Sequence, residues 1–330
     1  SLEIINLNKK YFHSNNNNAF DKYRGNLFDK IIAKGIRSED LIIEHLEIND
    51  FDIKKINLLL DIDENNLSEL IDSISIKKIE FKNLIVQDQS TDLSFSSFSF
   101  ENIKNLKIRS INVSDFNFTD MLLGDNFSFE NLLIKDLKFD KNLIDYLVSQ
   151  QEFDIQNLTA YYIDPSSKIA LIQIDNIKGN HPGAAYAIER VHISDNFRNS
   201  KIINTNINLK TNNTKLNWAS LESKTNLPDY IGDLDNVNFN FRIKDLYFYN
   251  PLADALSEFL VGSIDTVLNH DLSKKTAFLK FNIKSKYSFN FVLEMFFSDS
   301  YGHEEYLETI LLFSSGLFDD EKYNDGLRTL

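Results

Sequence analysis

The chain has 330 residues, 42 % apolar and 25 % charged, the balance of a globular protein with ample core material and not of a disordered one. It carries 35 Lys and Arg against 49 Asp and Glu, a net charge of −14 that disfavours nucleic-acid backbones and anionic lipid surfaces, and no basic stripe is visible along the sequence. The lack of cysteine excludes disulfides, thiol catalysis and cysteine-bound metal, and no apolar run reaches the roughly 20 residues of a membrane helix.

Residues 1–75 read as a mixed helix and strand region, in part a fragment of the unit that follows. Ser1 stands where Met is expected, so the start reads as cut, and an upstream signal or anchor is left open. The stretch DIDENNLSELID begins like a calcium loop, with Asp61, Asp63 and Asn65. Its sixth position is Asn66 where the loop needs Gly, and its twelfth is Asp72 where it needs a bidentate Glu. A capped helix starting near Asn65 fits better.

Residues 76–148 form a first strand-rich unit. In KKIEFKNLIVQD, Ile79, Phe81 and Asn83 share one parity, and the apolar face switches near Asn83-Leu84. In LSFSSFSF, Leu93 and Phe95 share a parity while Phe98 and Phe100 take the other. A parity change inside a strand predicts a β-bulge. The unit closes on KNLIDYLVSQ, whose Leu143, Tyr146 and Leu147 share a helical stripe.

Residues 149–260 repeat that unit with insertions. IKDLKFDKNLIDYL at 134–147 returns as IKDLYFYNPLADAL at 243–256, identical at eight of fourteen positions. Asn83-Leu84 returns as Asn157-Leu158, and Asn102-Ile103-Lys104 as Asn176-Ile177-Lys178, both at an offset of 74. Ser114-Asp115 returns as Ser194-Asp195, at an offset of 80. Anchors in one order with growing offsets point to a tandem duplication. The parity change also returns, with Ile169 and Leu171 on one parity and Ile172 and Ile174 on the other, unless that strand is buried on both faces.

Asn or Asp recurs at Asn83, Asn102, Asn131, Asp136, Asn157, Asn176 and Asp245. Such side chains bond their own backbone and favour turns, so these positions read as joints between short meander strands. The second unit ends in a predicted helix, NPLADALSEFLVGSIDTVL, with Asn250 and Pro251 as cap and first residue and Leu252, Leu256, Phe259, Leu260 and Ile264 on one stripe. Residues 261–330 read as a strand pair, TAFLKFNIKSKYSFNFVLEMFF, and further helices. The fold class expected is α+β, mainly antiparallel β: tandem meander-plus-helix units forming a long curved sheet with helices on one face.

Chemistry is thin along this chain. HEEYL at His303 lacks the second His of a zinc-protease helix, and GNHPGAA at Gly179 lacks the Lys and spacing of a phosphate loop and reads as an exposed turn. The six His, at 13, 45, 181, 192, 270 and 303, are scattered, with none at metal-ligand spacing. No catalytic, cofactor-binding or metal-binding residue is nominated, and no cofactor is expected. The comparison between units nominates one surface instead. Gln87 and Asp88 become Tyr161 and Tyr162, and Lys138 and Asp140 become Tyr247 and Tyr249. Tyrosine offers a ring and a hydroxyl together, which suits a ligand or partner surface. The competing reading is that residues 198–230, with Trp218, fold over these rings as ordinary core.

The strand units, with joints such as IQNLTAYYIDPSSKIALIQIDNIKG, resemble bacterial AsmA-like envelope proteins and the wider repeating β-groove lipid carriers over about 76–260. The resemblance implies an envelope or periplasmic location, an N-terminal membrane anchor and lipid handling in a groove, and carries over no functional residue. It leads to a non-enzymatic protein binding lipid or another apolar ligand along its sheet. The alternatives are an assembly module binding a protein partner through a sheet face or edge, a cytoplasmic location, and a hydrolase built from unconnected residues.

Overall fold

The computed structural model describes residues 1–7, 26–54, 67–139, 168–226, 236–250, 258–271, 276–285 and 290–298. They hold fifteen strands: β1 Leu2–Ile5, β2 Phe28–Arg37, β3 Leu41–Ile53, β4 Ile74–Gln87, β5 Thr91–Lys104, β6 Lys107–Asp120, β7 Asp125–Lys138, β8 Leu171–His181, β9 Ala184–Ser194, β10 Asn199–Leu209, β11 Thr214–Thr225, β12 Asn236–Tyr249, β13 Glu258–Asp271, β14 Thr276–Ser285 and β15 Asn290–Ser298. They make one sheet in strict sequence order, with β1 and β15 at its two edges. Every pairing is antiparallel, from the first to the last. All substantial contacts between elements join sequence-adjacent strands, so the described sheet neither closes nor folds back on itself.

The antiparallel β expectation holds; the helices on one face do not. Among the described residues there is a single helix, α1, Leu67–Ser73, near where the capped helix was expected. Ser73 Oγ donates to the Leu70 carbonyl at 2.7 Å and ends it. Leu70 is buried against Leu27, Phe28 and Ile53, so α1 covers only one corner of the sheet. The expected helix at 141–150 lies outside the described residues. The expected helix over 250–268 is contradicted from Glu258 onward, where the chain is β13. The register explains the misreading. A bulge lies between Val261 and Ser263, so positions in line with the neighbouring apolar residues are 259, 261, 264, 266 and 268. A period of two broken by one step of three imitates a helical stripe.

That broken period is the organising device of the whole sheet. On β4 the inward positions are Ile76, Ile79, Phe81, Leu84 and Val86; their partners on β5 are Ile103, Phe100, Phe98, Phe95 and Leu93. Along both strands steps of two alternate with steps of three. The added residue takes a left-handed backbone at Asn83, Asp115, Asn176, Asn204 and Asp245, with Gly35 doing the same on β2. These six sit on alternate strands at one level across the sheet. A second level holds Asn6, Asp50, Asn102 and Asp136 on the other strands. Both strands of each pair slip at the same level, so the register sum stays constant through the kink. Left-handed φ strains most L-residues and strains Asn and Asp least, because their short polar side chains bond locally.

Here those side chains bond across the ladder. Asn83 Nδ2 donates to Glu44 Oε2 at 2.5 Å, Ser96 Oγ to Asp115 Oδ2 at 2.7 Å, and Asn6 Nδ2 to Asp29 Oδ2 at 2.7 Å. Asn176 donates to Glu130 and Asn204 to Glu189 in the same way. The positions expected as turns between short strands are thus kinks inside strands of up to 14 residues. Asn131 sits beside Glu130 at the same level with ordinary φ, and Asn157 lies outside the described residues. The parity switch predicted between Phe95 and Phe98 is present; on β8 it falls at Asp175-Asn176, between Ile174 and Ile177, and not at Leu171-Ile172.

The repeated anchors acquire a local meaning. Asn83, Asn102, Asp115, Asp136, Asn176 and Asp245 are all left-handed kink residues, and Asp195 is left-handed at the start of the β9–β10 turn. The visible repeating element is a kinked strand, marked by Asn or Asp before an apolar residue.

Candidate functional site

The kinks keep one face apolar over the full run of the sheet. Starting from Leu2 on β1, the register leads through Ala33, Leu46, Phe81 and Phe98 to Val113. It continues through Leu132, Ile174, Val191, Ile202 and Leu221. It leaves through Ile243, Ile264, Ile283 and Phe291 on β15. Every strand supplies one apolar residue to this file. Fourteen steps at about 4.8 Å make it roughly 67 Å long. Flanking files are nearly as apolar: Ile48, Ile79, Phe100, Ile111, Ile134, Ile172 and Ile193 run beside it.

Aromatic packing stiffens the middle of the face. Phe81 and Phe98 stack at 5.9 Å, Phe95 meets Phe98 edge-on at 5.4 Å, and Phe116 and Phe129 stack at 4.7 Å. These geometries are the favoured ones for ring pairs. Val113, Phe129 and Ile177 are buried by such neighbours. Most other side chains of the face are only half-buried, because no second layer of described residues lies on them beyond α1. On β8 and β9, Gly179 leaves room for the ring of Tyr186, its register partner, which lies 2.1 Å from where a Cβ would stand.

The face carries some polar residues, among them Ser200, Ser223 and Thr266, and at one place two of its buried polar atoms meet. Thr205 and Trp218 are register partners on β10 and β11. Thr205 is 1 % exposed, and its Oγ1 and Trp218 Nε1 are buried with no hydrogen-bond partner among the described residues. Buried polar atoms are almost always paired, so this spot is locally destabilising.

The opposite face is polar and stitched by cross-strand charge. Lys30 meets Glu47 at 3.0 Å, Lys201 meets Glu222 at 2.9 Å and Arg190 Nε meets Asp175 at 2.5 Å. Asn49's amide, together with Lys30 and His45, overcomes the upward effect of burial and holds the Glu47 carboxyl down at about 2. Burial alone pushes Asp175 up, but bonds from Arg190 and Gln173 outweigh it and hold the carboxyl below the usual range. The Lys201 bond lowers Glu222 likewise.

The nominated tyrosines divide. Tyr161 and Tyr162 lie outside the described residues. Tyr247 and Tyr249 alternate with Leu246 and Phe248 on β12 and pair in register with Asn217 and Lys215. They therefore stand on the polar face, half-buried, away from the apolar file. Residues 199–209 and 214–225, expected as a flap over them, are regular strands of the same sheet, and Trp218 belongs to the apolar face. Sequence reasoning placed Trp218 only in that flap and missed the apolar file itself, whose members lie far apart in sequence.

Within GNHPGAA, Pro182 and Gly183 turn the chain between β8 and β9 next to exposed Asn180 and His181, while Gly179 is buried in β8 and Ala184 and Ala185 begin β9. Asp61, Asp63 and His303 lie outside the described residues. Among the described residues no three His, Asp or Glu gather as a metal site, and no helix is long and apolar enough to cross a membrane. A search of family profiles, curated proteins and solved structures finds no match to this chain.

Proposed function

We propose that this protein binds a lipid acyl chain or another elongated apolar ligand along its apolar face, without catalysing a reaction on it. The observation that supports the reading is the uninterrupted file from Leu2 to Phe291, one apolar residue from each of fifteen strands, with no described layer over most of it. A half-buried apolar strip of this length, with no described layer over most of it, supports an interaction surface. A strip one strand-length wide and tens of ångströms long suits a chain-like ligand better than a compact one. The kinks serve the same end, because they let each strand bend and still present apolar residues to one side. An envelope location belongs to the same proposal and rests on the resemblance alone.

Native mass spectrometry of the purified protein, followed by lipid extraction, tests it. Adducts of acyl-chain mass that reappear in the extract support the reading. A single apo mass, with no uptake of added fatty acid, removes it.

A specific feature favours a second reading. The edge strand β15 exposes Phe291, Val292, Leu293 and Phe296, apolar on both faces beside a backbone edge that no described strand pairs. Such an edge is a template for strand addition, so a protein partner or a second copy docks here in this reading. Phe296→Lys lowers self-association in sedimentation velocity if copies meet at this edge. An unchanged distribution rules out the second copy.

A further inference from the structure

The sequence shows no basic stripe, yet the register builds one. Lys104 pairs with Lys107 across the β5–β6 turn, Lys107 pairs with Lys138 on β7, and Lys138 pairs with Lys168 through a separate bridge. That bridge is closed by two backbone bonds, Lys138 N to Lys168 O at 2.7 Å and Lys168 N to Lys138 O at 3.1 Å. Four lysines thus stand side by side across four chain segments. Like charges directly opposite one another destabilise a sheet. Elsewhere on this sheet lysines meet cross-strand carboxylates, as Lys30, Lys201 and Lys280 do with Glu47, Glu222 and Glu294. No described residue gives the four an ion pair.

The row lines a cavity of about 720 Å³, formed where β7, the approach to β8 and the turns β5–β6 and β9–β10 come together. Arg109 and Arg198 also line it. Among the described lining residues the acids are Asp136, opposite Arg109 in the ladder, and Asp195, 3.7 Å from Arg198. Six described cations against two described carboxylates, in a chain of net charge −14, leave a local excess of positive charge. At the β9–β10 turn the backbone does not supply the donors. Asp195 N and Asn196 N are committed to Ala170 O and Ile169 O, which tie the β9–β10 turn to the approach to β8. Recognition therefore falls to the side-chain cations. Compact, mobile ammonium groups suit a multiply charged phosphate better than a single planar carboxylate.

We propose that this cavity binds a phosphate-bearing anion, of a soluble phosphate compound or of a lipid headgroup. The site abuts one end of the apolar face, where Ile108 and Leu137 also line the cavity, but the lysine binding does not depend on acyl-chain uptake. Calorimetric titration of the whole chain with inorganic pyrophosphate tests the soluble source. Sedimentation with phosphatidylcholine vesicles, with and without phosphatidic acid, tests the headgroup. Lys107→Ser/Lys138→Ser should weaken binding by about tenfold or more. Lys82→Ser/Lys178→Ser removes the same charge elsewhere on the sheet and should leave binding unchanged. Pyrophosphate binding lost only in the first variant supports a soluble phosphate. Binding confined to phosphatidic acid vesicles, and lost only in that variant, supports a headgroup. No binding in either format overturns the site, and so does an equal loss in both variants. The first variant relieves repulsion, so its thermal midpoint should not fall, which separates lost binding from lost fold.

Discussion

The kinks give the sharpest handle on why this sequence makes this sheet, and Asn204 is the best place to pull. Its φ is 46°, and its amide donates to Glu189 on the neighbouring strand. Asn204→Ala removes the bond and leaves a Cβ in the left-handed region without a compensating side chain. The backbone term is about 1–2 kcal/mol. The exposed bond to a carboxylate adds roughly 0.5–1 kcal/mol. Asn204→Gly loses the same bond but accepts the backbone freely, less a similar cost in chain entropy. The alanine variant should therefore be less stable than the glycine variant by about 0.5–1 kcal/mol. Asn206→Ala, exposed on the same strand at ordinary φ, should stay within about 0.5 kcal/mol of the parent. Trp218, the only tryptophan, lies one strand away and reports urea unfolding by its emission. With a slope on the order of 3 kcal/mol per M, the alanine midpoint falls by roughly 0.5–1 M. Equal midpoints for the Ala and Gly variants would refute the reasoning.

Three further outcomes are expected. Thr205→Val keeps the shape and removes a buried hydroxyl with no described partner, so it should raise stability by about 1 kcal/mol in the same urea assay; a clear loss means that the hydroxyl is satisfied. Phe129→Ala empties a buried, stacked position and should cost about 3 kcal/mol, the lower end of the range for such truncations because the layer is open on one side. For pH, the folded Glu47 carboxyl is depressed below its ordinary 4.5 to about 2. Its stabilising effect is full above about 4.5 and fades as pH falls toward 2, and Glu47→Gln should flatten that part of the stability–pH curve. If the variant and parent curves are parallel there, the Asn49–Lys30–Glu47 cluster is not holding the proton off.

How far the sequence could be read depends on the range of each signal. Period-two alternation is local, so antiparallel β and the switch at Phe95–Phe98 were legible. Left-handed Asn and Asp also leave a local mark, but the mark alone does not distinguish a turn from a kink. Only the pairing of Phe81 with Phe98 and Leu84 with Phe95, on either side of Asn83, shows the strand running through it. The same three-residue step made 258–264 look helical, because a short stretch of apolar residues at mixed spacing satisfies both periods. The lysine row was invisible for a different reason. Lys107, Lys138 and Lys168 are about thirty residues apart in sequence, and only the register brings them side by side. The tyrosine comparison put Tyr247 and Tyr249 forward, but alternation with Leu246 and Phe248 sends them to the face away from the apolar file.

Trp218 also offers the most direct test of ligand binding, since its ring belongs to the apolar face beside Thr205. Titration with 9,10-dibromostearic acid, below the concentration at which the probe self-associates, should quench its emission to a saturating level, and unbrominated stearic acid should reverse the quenching. Emission that stays constant throughout the titration would contradict acyl-chain binding on this face.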